Sequence, residues 1–155
     1  MGNVKNNIKK AVRHVSKNHV LAVSIGFVYV WFGALKFFPN TSPAKELAKN
    51  TIHSLTFGVL PDEVSILLLA TLEVLIGALL MLNVLKRQAI ALAIGHIIFT
   101  FTPLIFFPLE SFKAAPLVPT LLGQYIGKNV IILGALITLA RMHMPLSSEN
   151  IEHKS

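Results

Sequence analysis

The sequence predicts an all-α membrane protein, an antiparallel four-transmembrane-helix bundle with an interfacial helix in the first outer loop. Of its 155 residues, 54% are hydrophobic and 14% are charged, a composition typical of membrane proteins rather than of soluble domains. Four mainly apolar runs are each close to the roughly 20 residues that a spanning helix needs. They cover residues 20–38, 64–82, 88–107 and 120–140. The chain therefore divides into a basic tail (1–19), a single transmembrane domain (20–140) and a polar tail (141–155).

The first apolar run follows a basic tail and superficially resembles a secretory signal peptide. It is longer than the apolar core of a signal peptide, and it ends in Lys36-Phe37-Phe38-Pro39 rather than in a small-residue cleavage site. We therefore interpret it as a membrane anchor that is retained. Apolar residues recur at helical spacing within the tail, so we expect the tail to contact anionic lipid headgroups. The chain has no nucleic-acid recognition motif, and we predict no nucleic-acid partner.

The distribution of Lys and Arg predicts the orientation, because positively charged loops stay in the cytoplasm. The N-terminal tail holds five basic residues, and the turn after the second apolar run holds Lys86 and Arg87. The chain after the fourth run holds two more, whereas the two remaining loops together hold three. We therefore expect both termini on the cytoplasmic side of the membrane.

The first outer loop contains the predicted interfacial helix at residues 42–57. Ser42 suits an N-cap, and Pro43 suits the first helical position. Apolar residues recur on one face of this segment and charged residues on the other, and Gly58 and Pro61 end the pattern. The helix either covers the outer mouth of the bundle as a lid or rests in the lipid headgroups, and the sequence leaves both interpretations open.

Three of the four apolar runs carry an ionisable residue near the middle of the membrane, namely Glu73, His96 and Lys128. A charged Asp, Lys or Arg at the centre of a spanning helix costs about 2.5 to 3.5 kcal/mol on insertion scales, so such residues usually pair or line a pathway. Glu73 lies nine residues from the outer start of its run, and Lys128 lies eight from the start of its own. These positions correspond to similar depths. The sequence therefore predicts a Glu73–Lys128 ion pair, with Lys36 either competing for Glu73 or extending to the membrane surface.

Polar neighbours extend this pair into a predicted pocket. Tyr29 shares a helix face with Lys36 at a spacing of seven residues, and Gln124 precedes Lys128 by four. His96 is either a hydrogen-bonded packing residue or a ligand-binding group, and the charged pair alternatively serves only to fix helix register. The predicted residues of this polar pocket are Tyr29, Lys36, Glu73, His96, Gln124 and Lys128.

Glycines at helical spacing predict close contacts between helices. Small residues let two helix backbones approach, and a Gly-x-x-x-Gly step is the best-known form of this pattern. Gly123 and Gly127 form such a step, and Gly134 extends it. The predicted packing glycines are Gly77, Gly95, Gly123, Gly127 and Gly134.

Several kinds of catalytic site are excluded or disfavoured. The sequence has no cysteine, so it carries no thiol relay, iron–sulfur cluster or thiolate metal site of its own. Its histidines are scattered and do not form a zinc pattern, and no phosphate loop, serine elbow or HExxH motif is present. We therefore predict no catalytic residue, no metal site and no covalently bound cofactor.

Four short segments together resemble a known family. They are Trp31-Phe32-Gly33-Ala34-Leu35-Lys36-Phe37-Phe38-Pro39, Glu73-Val74-Leu75-Ile76-Gly77, Thr100-Phe101-Thr102-Pro103 and Gly123-Gln124-Tyr125-Ile126-Gly127-Lys128-Asn129. In order and spacing the chain is similar to the DoxX-like membrane proteins over residues 20–140. The resemblance implies a four-helix protein of the bacterial or archaeal inner membrane, linked to quinone-dependent oxidoreductases or oxidative-stress systems. It also implies quinone as a cofactor and other membrane or soluble redox subunits as partners.

Three functions are consistent with these observations. In the first, the protein is a subunit or accessory of a quinone-linked membrane oxidoreductase, and its polar pocket binds a quinone headgroup. In the second, it is a small transporter or proton pathway that uses the same Glu, Lys and His residues. In the third, it is a purely structural membrane subunit.

Overall fold

The structure is a computed structural model that describes residues 2–38, 42, 45–114 and 118–143, with side chains from His19 onward. It is mostly helical, at 79%. The helices are α1 (Gly2–Leu35), α2 (Lys45–Leu55), α3 (Asp62–Leu82), α4 (Lys86–Phe99), α5 (Pro103–Phe106), α6 (Pro108–Ser111), α7 (Leu121–Gly127) and α8 (Asn129–His143). Two short strands, β1 (Phe112–Ala114) and β2 (Val118–Pro119), pair in antiparallel fashion. The predicted polar tail at 141–155 lies outside the described residues from 144 onward.

Three helical stretches are long and apolar enough to cross a membrane within the described part of the chain. They are Asp62–Leu82, Lys86–Phe106 and Leu121–His143. These stretches confirm the prediction of a helical membrane protein. The first predicted span corresponds to a shorter apolar segment, His19–Leu35, which forms the second half of α1.

One of the long stretches is interrupted at a proline. Pro103 lacks a backbone N–H, and the preceding residues form tight turns in which the N–H of Thr100 donates to the carbonyl oxygens of His96 and Ile97. Lys128 separates α7 from α8, but its backbone keeps right-handed helical angles and its N–H still donates to the carbonyl oxygen of Gln124. The stretch Leu121–His143 is therefore nearly continuous helix.

The most extensive helix contact is between α1 and α3, which run in opposite directions. Gly26 lies against Gly77 and Met81, whereas Gly33, two turns later, lies against Glu73 and Val74. A Cβ atom added to Gly77 would lie 2.5 Å from the carbonyl oxygen of Gly26. Gly77 therefore lies at a close contact between the two helices, and Gly26 and Gly33 lie at the same interface, although the sequence analysis did not name them.

The other predicted packing glycines divide into two groups. A Cβ atom on Gly123 would collide with the carbonyl oxygen of Ser111, so this glycine does mediate a close contact. Gly95, Gly127 and Gly134 meet open space instead, with nothing within 4 Å among the described residues. The prediction that these three mediate helix packing is wrong for the described chain, because helical spacing places them on one face without determining what lies opposite.

The apolar core joins α1 and α3 to α4 and α8. Its side chains are almost completely removed from solvent, and aliphatic groups dominate it. They include Ala22, Ile25, Ile76, Leu80, Ala89, Ile90, Ala93, Leu136 and Leu139. The short turn between α3 and α4, in which Asn83 and Leu85 adopt positive φ angles of 57° and 46°, brings these two helices into contact.

The segment between α4 and α7 departs from the all-α prediction. It contains α5, α6 and a small antiparallel hairpin in which Phe112 is opposite Pro119 and Ala114 is opposite Val118. The strands are only three and two residues long, which is too short for a hydrophobic repeat to reveal them. Contacts with this segment fix the start of α7. The hydroxyl of Thr120, the N-cap residue, accepts from the N–H of Gly123 and donates to the carbonyl oxygen of Glu110.

Candidate functional site

A buried ion pair joins the end of α1 to the middle of α3. The ammonium group of Lys36 lies 2.5 Å from Oε2 of Glu73. Lys36 is 8% exposed and Glu73 is 7% exposed. The Lys36 ammonium group also donates to the carbonyl oxygen of Phe32, at 3.4 Å. Gly33 lies directly against the Cβ of Glu73, so the absence of a side chain on α1 allows the approach that brings the charges together.

The same carboxylate also contacts α4. Oε1 of Glu73 lies 3.2 Å from Nε2 of His96, and Nδ1 of His96 lies 3.1 Å from the hydroxyl oxygen of Tyr29. The Tyr29 hydroxyl is also 3.1 Å from the carbonyl oxygen of Ala93. Three helices thus contribute to one continuous polar chain that runs from Lys36 through Glu73 and His96 to Tyr29.

The donors and acceptors of this chain allow two proton arrangements. A carboxylate only accepts hydrogen bonds, so Nε2 of His96 carries the proton toward Glu73. When His96 is neutral, its Nδ1 accepts from the Tyr29 hydroxyl. When His96 carries a second proton, Nδ1 donates to the Tyr29 oxygen, and the hydroxyl donates to the carbonyl oxygen of Ala93 instead. The neutral form leaves Lys36 and Glu73 as a balanced pair of opposite charges.

The predicted Glu73–Lys128 ion pair is wrong. Both oxygens of Glu73 are occupied by Lys36 and His96, while Lys128 is an exposed residue of a cavity lining. The prediction relied on matching depths, which give the position of a residue along the membrane normal but not its neighbouring helix. Because α1 packs along α3, Lys36 rather than Lys128 lies next to Glu73. Gln124 is exposed and does not line the cavity.

A cavity of about 500 Å³ opens beside the polar chain. Tyr29, Lys36, Glu73, His96 and Lys128 line it, so the structure brings five of the six predicted pocket residues to one space. Its remaining walls are mainly apolar. They include Val28, Phe32, Leu69, Leu72, Ile97, Phe99, Ile126 and Ile132.

The predicted pocket lacked four polar residues that line the cavity, namely Thr51, Thr100, Tyr125 and Asn129. Tyr125 packs its ring edge-on against Phe32, with ring centroids 5.7 Å apart. The side-chain amide of Asn129 donates to the hydroxyl of Thr100 at 2.9 Å, which joins the start of α8 to the end of α4. Asn129 directly follows Lys128, Tyr125 precedes it by three residues, and both belong to the motif at 123–129. Their position near a charge in an apolar run was therefore an available signal.

Helix α2 closes part of the cavity with its apolar face. The lining includes Leu47, Ala48, Thr51, Ile52 and Leu55. Their spacing matches the amphipathic pattern predicted for residues 42–57, although the helix itself is shorter, at 11 residues. This face therefore contributes directly to the candidate binding space.

Polar contacts on the opposite side fasten α2 to the start of α3. Nδ1 of His53 lies 3.2 Å from Asp62, and the ammonium group of Lys49 lies 3.9 Å from the same carboxylate. Lys49 also forms an ion pair with Glu46 at 2.8 Å, and this hydrogen bond raises the pKa of Lys49. These groups are largely exposed, so each contact contributes modestly to stability.

The site combines fixed charges, proton-carrying groups and apolar walls. Such a combination suits a molecule with a polar oxygen-bearing end and an apolar body.

Within the described residues, no group of three or more His, Asp or Glu side chains has the arrangement of a metal site. Comparisons of the chain with protein families, curated proteins and solved structures find no match.

Proposed function

We propose that the cavity binds the oxygen-bearing head of a lipid-soluble molecule, specifically a quinone, and that the protein serves a quinone-linked membrane oxidoreductase as a subunit or accessory. The observation that carries this proposal is the buried chain of Lys36, Glu73, His96 and Tyr29 beside an apolar cavity of about 500 Å³. Ionisable groups in membrane helices are costly and commonly mark functional sites. The assignment to the DoxX-like proteins rests on the four sequence motifs alone.

The architecture that we propose is a four-helix bundle in the inner membrane with both termini in the cytoplasm. The fourth spanning helix of this bundle is the apolar part of α1, His19–Leu35, in addition to the three longer stretches. At about 1.5 Å per residue, these 17 residues measure roughly 26 Å, and α1 continues beyond them. The antiparallel contact of α1 with α3 and the distribution of basic residues support this topology, with α2 at the outer membrane surface.

Cysteine labelling tests the topology directly, because the parent chain has no cysteine. Single cysteines are introduced at Asn50, which is exposed on α2, and at Ser148 in the C-terminal tail. In intact cells a membrane-impermeant maleimide should label the first and not the second. Labelling of both positions from outside would contradict the topology.

The chemistry of the cavity suits a quinone head. A carbonyl oxygen accepts hydrogen bonds, and the ammonium group of Lys128 and the hydroxyl of Tyr125 are donors that line the cavity. His96 and Glu73, joined at 3.2 Å, hold a proton at a position from which it can be exchanged with a bound head. The apolar walls accommodate the ring and the start of its isoprenoid tail.

Fluorescence quenching in nanodiscs tests quinone binding. Trp31 is the single tryptophan, but it is 56% exposed, packs on Phe27 and does not line the cavity. The reporter is therefore the double variant Trp31→Phe/Phe32→Trp, which places the indole on the cavity wall. A quinone should quench this reporter saturably and quench Trp31 of the parent chain only in proportion to its concentration in the lipid. Linear quenching of both proteins would refute the proposal.

A proton pathway is the second candidate, favoured by one observation. The hydrogen-bonded chain from Tyr29 through His96 to Glu73 crosses from α1 through α4 to α3 without a gap. Proton flux into liposomes, measured with an entrapped pH-sensitive dye, distinguishes the two functions. Flux abolished by His96→Asn, with no quenching by quinone, would favour the pathway. Neither activity in a folded protein would leave the purely structural function.

A further inference from the structure

Lys128 is a cation inside a candidate membrane-spanning stretch, and it has no acidic partner in the described part of the chain. It lies seven residues after the start of α7 at Leu121, a depth of about 10 Å at 1.5 Å per residue. Lys128 is exposed and belongs to the lining of the cavity. Among the described residues, Asp and Glu carboxylates form ion pairs with Lys36, Lys49, His53 and His96, but none lies at ion-pair distance from Lys128.

Glu73 cannot neutralise Lys128 without losing an existing partner. Its Oε2 is held by Lys36 at 2.5 Å, and its Oε1 is held by His96 at 3.2 Å. With His96 neutral, Lys36 and Glu73 balance each other, and Lys128 leaves the cavity lining with one net positive charge. An uncompensated charge in an apolar environment is unfavourable. A ligand that supplies one negative charge would remove this cost.

The surroundings of Lys128 can bind the polar end of such a ligand. Asn129 uses one amide hydrogen to bond Thr100, and its amide nitrogen has a second hydrogen to donate. The Tyr125 hydroxyl is another donor on the cavity lining. The apolar face of α2, including Leu47 and Ile52, lines the same cavity and provides a surface for an aliphatic or aromatic body.

We propose that the bound ligand is an amphiphile whose oxygen-bearing head carries a single negative charge, and that Lys128 is the residue that selects this charge. The proposal rests on the proposed function, in that the cavity must bind a lipid-soluble molecule. The required head chemistry occurs in the carboxylate of a single-chain lipid and in the ionised hydroxyl of a hydroxyquinone. A neutral quinone has the apolar body and can accept a hydrogen bond from Lys128, but it does not neutralise the charge of this lysine, so the anion should bind more tightly.

Matched pairs of probes in the Trp31→Phe/Phe32→Trp reporter test this proposal in nanodiscs at pH 9. The first pair is dibromostearate, whose bromines quench indole fluorescence, and its neutral methyl ester. The second pair is a 2-hydroxy-3-alkyl-1,4-naphthoquinone and its 2-methoxy ether. For at least one pair the anion should bind about tenfold more tightly than the neutral analogue. The pair that shows the preference identifies the source of the head.

Substitutions assign the preference to one residue. Lys128→Gln should make the anion and its neutral analogue bind equally, whereas Lys128→Arg should retain the preference. Lys113→Gln is the matched control, because Lys113 is an exposed lysine on β1 that does not line the cavity. It removes the same charge from the protein surface and should leave the preference unchanged.

The outcomes separate this proposal from the proposed function. Saturable binding with equal affinity for the anion and its neutral analogue, in both pairs, would overturn the charge selection and leave the proposed function intact. An equal loss of preference in Lys113→Gln and Lys128→Gln would also overturn it, because a general surface charge would then explain the preference. Absence of saturable quenching by all four probes and by neutral quinone would overturn both.

Discussion

The α1–α3 interface and the α7–α8 segment contain the same two residue types in opposite environments. On α1 and α3, Gly26 and Gly77 bring two backbones together, and Lys36 is buried against Glu73. On α7 and α8, Gly127 and Gly134 face open space, and Lys128 is exposed on the cavity. The comparison teaches that a glycine step or an intramembrane lysine acquires its role from the element packed against it.

The two regions also differ in role: the charges at the α1–α3 interface contribute to folding, whereas the charge of Lys128 is proposed to contribute to ligand binding. At the α1–α3 interface every charge is satisfied by another side chain, so these charges help to define which helices pack together. At Lys128 the charge remains available to a ligand. One region therefore builds the cavity, and the other supplies the group that we propose to select its occupant.

The largest effect is expected when one partner of the buried pair is removed. Lys36→Met leaves Glu73 as a buried carboxylate without its lysine and should reduce the free energy of unfolding by about 3 to 5 kcal/mol. Lys128→Met removes a charge that pairs with no carboxylate among the described residues, so it should leave the free energy of unfolding unchanged or raise it. Thermal or denaturant unfolding in detergent measures both variants.

The double variant Lys36→Met/Glu73→Gln provides the control for this comparison. It removes both charges and should recover part of the stability lost in Lys36→Met, because no unpaired carboxylate remains buried. A larger destabilisation by Lys128→Met than by Lys36→Met would contradict the assignment of Lys36 as the partner of Glu73.

A smaller effect is expected from adding a methyl group to a packed glycine. In Gly77→Ala the new Cβ would lie 2.5 Å from a backbone oxygen of α1, so the helices must separate, at a cost of about 1 to 3 kcal/mol. Gly134→Ala meets open space and should be neutral or stabilising by up to about 1 kcal/mol, since alanine favours helix. An equal decrease of the unfolding midpoint in both variants would contradict the assignment of Gly77, and not Gly134, to a close helix contact.

The next effect concerns the two cavity tyrosines. Tyr29→Phe removes a buried hydroxyl that bonds His96 or the carbonyl oxygen of Ala93, and should reduce the free energy of unfolding by about 1 kcal/mol. Tyr125→Phe is the matched control, because within the described residues its hydroxyl makes no hydrogen bond to another side chain or to the backbone. Calorimetry of the two variants should give the larger change for Tyr29, and the reverse order would place the critical hydroxyl on α7.

The smallest effect is expected at the contact between α2 and α3. Asp62→Asn weakens the interactions of Asp62 with His53 and Lys49 and should cost less than about 1 kcal/mol, because the groups are largely exposed. The loss should shrink as ionic strength rises, through screening. Glu63→Gln removes a neighbouring exposed carboxylate and serves as the control in the same salt series. Equal losses for both variants would mean that this contact does not fasten α2.

Much of the fold was accessible from the sequence because hydrophobicity acts locally. The length of the apolar runs predicted a helical membrane protein, and the three long spans confirm it. The alternation of apolar and charged residues predicted the amphipathic helix that the structure has at Lys45–Leu55. The cost of burying Glu73 in an apolar run indicated that it must have partners, and it has two.

The identity of those partners was decided only by tertiary structure. Helical rise and run length fix the depth of a residue, and on depth alone Lys128 matched Glu73 better than Lys36 did. Which helix lies opposite depends on packing, and here the close approach of Gly26, Gly33 and Gly77 places α1 on α3. Among the described residues, the same packing leaves open space beside Gly134 and places Lys128 on a cavity lining. The sequence specifies what each helix face can bury but not which surface will meet it.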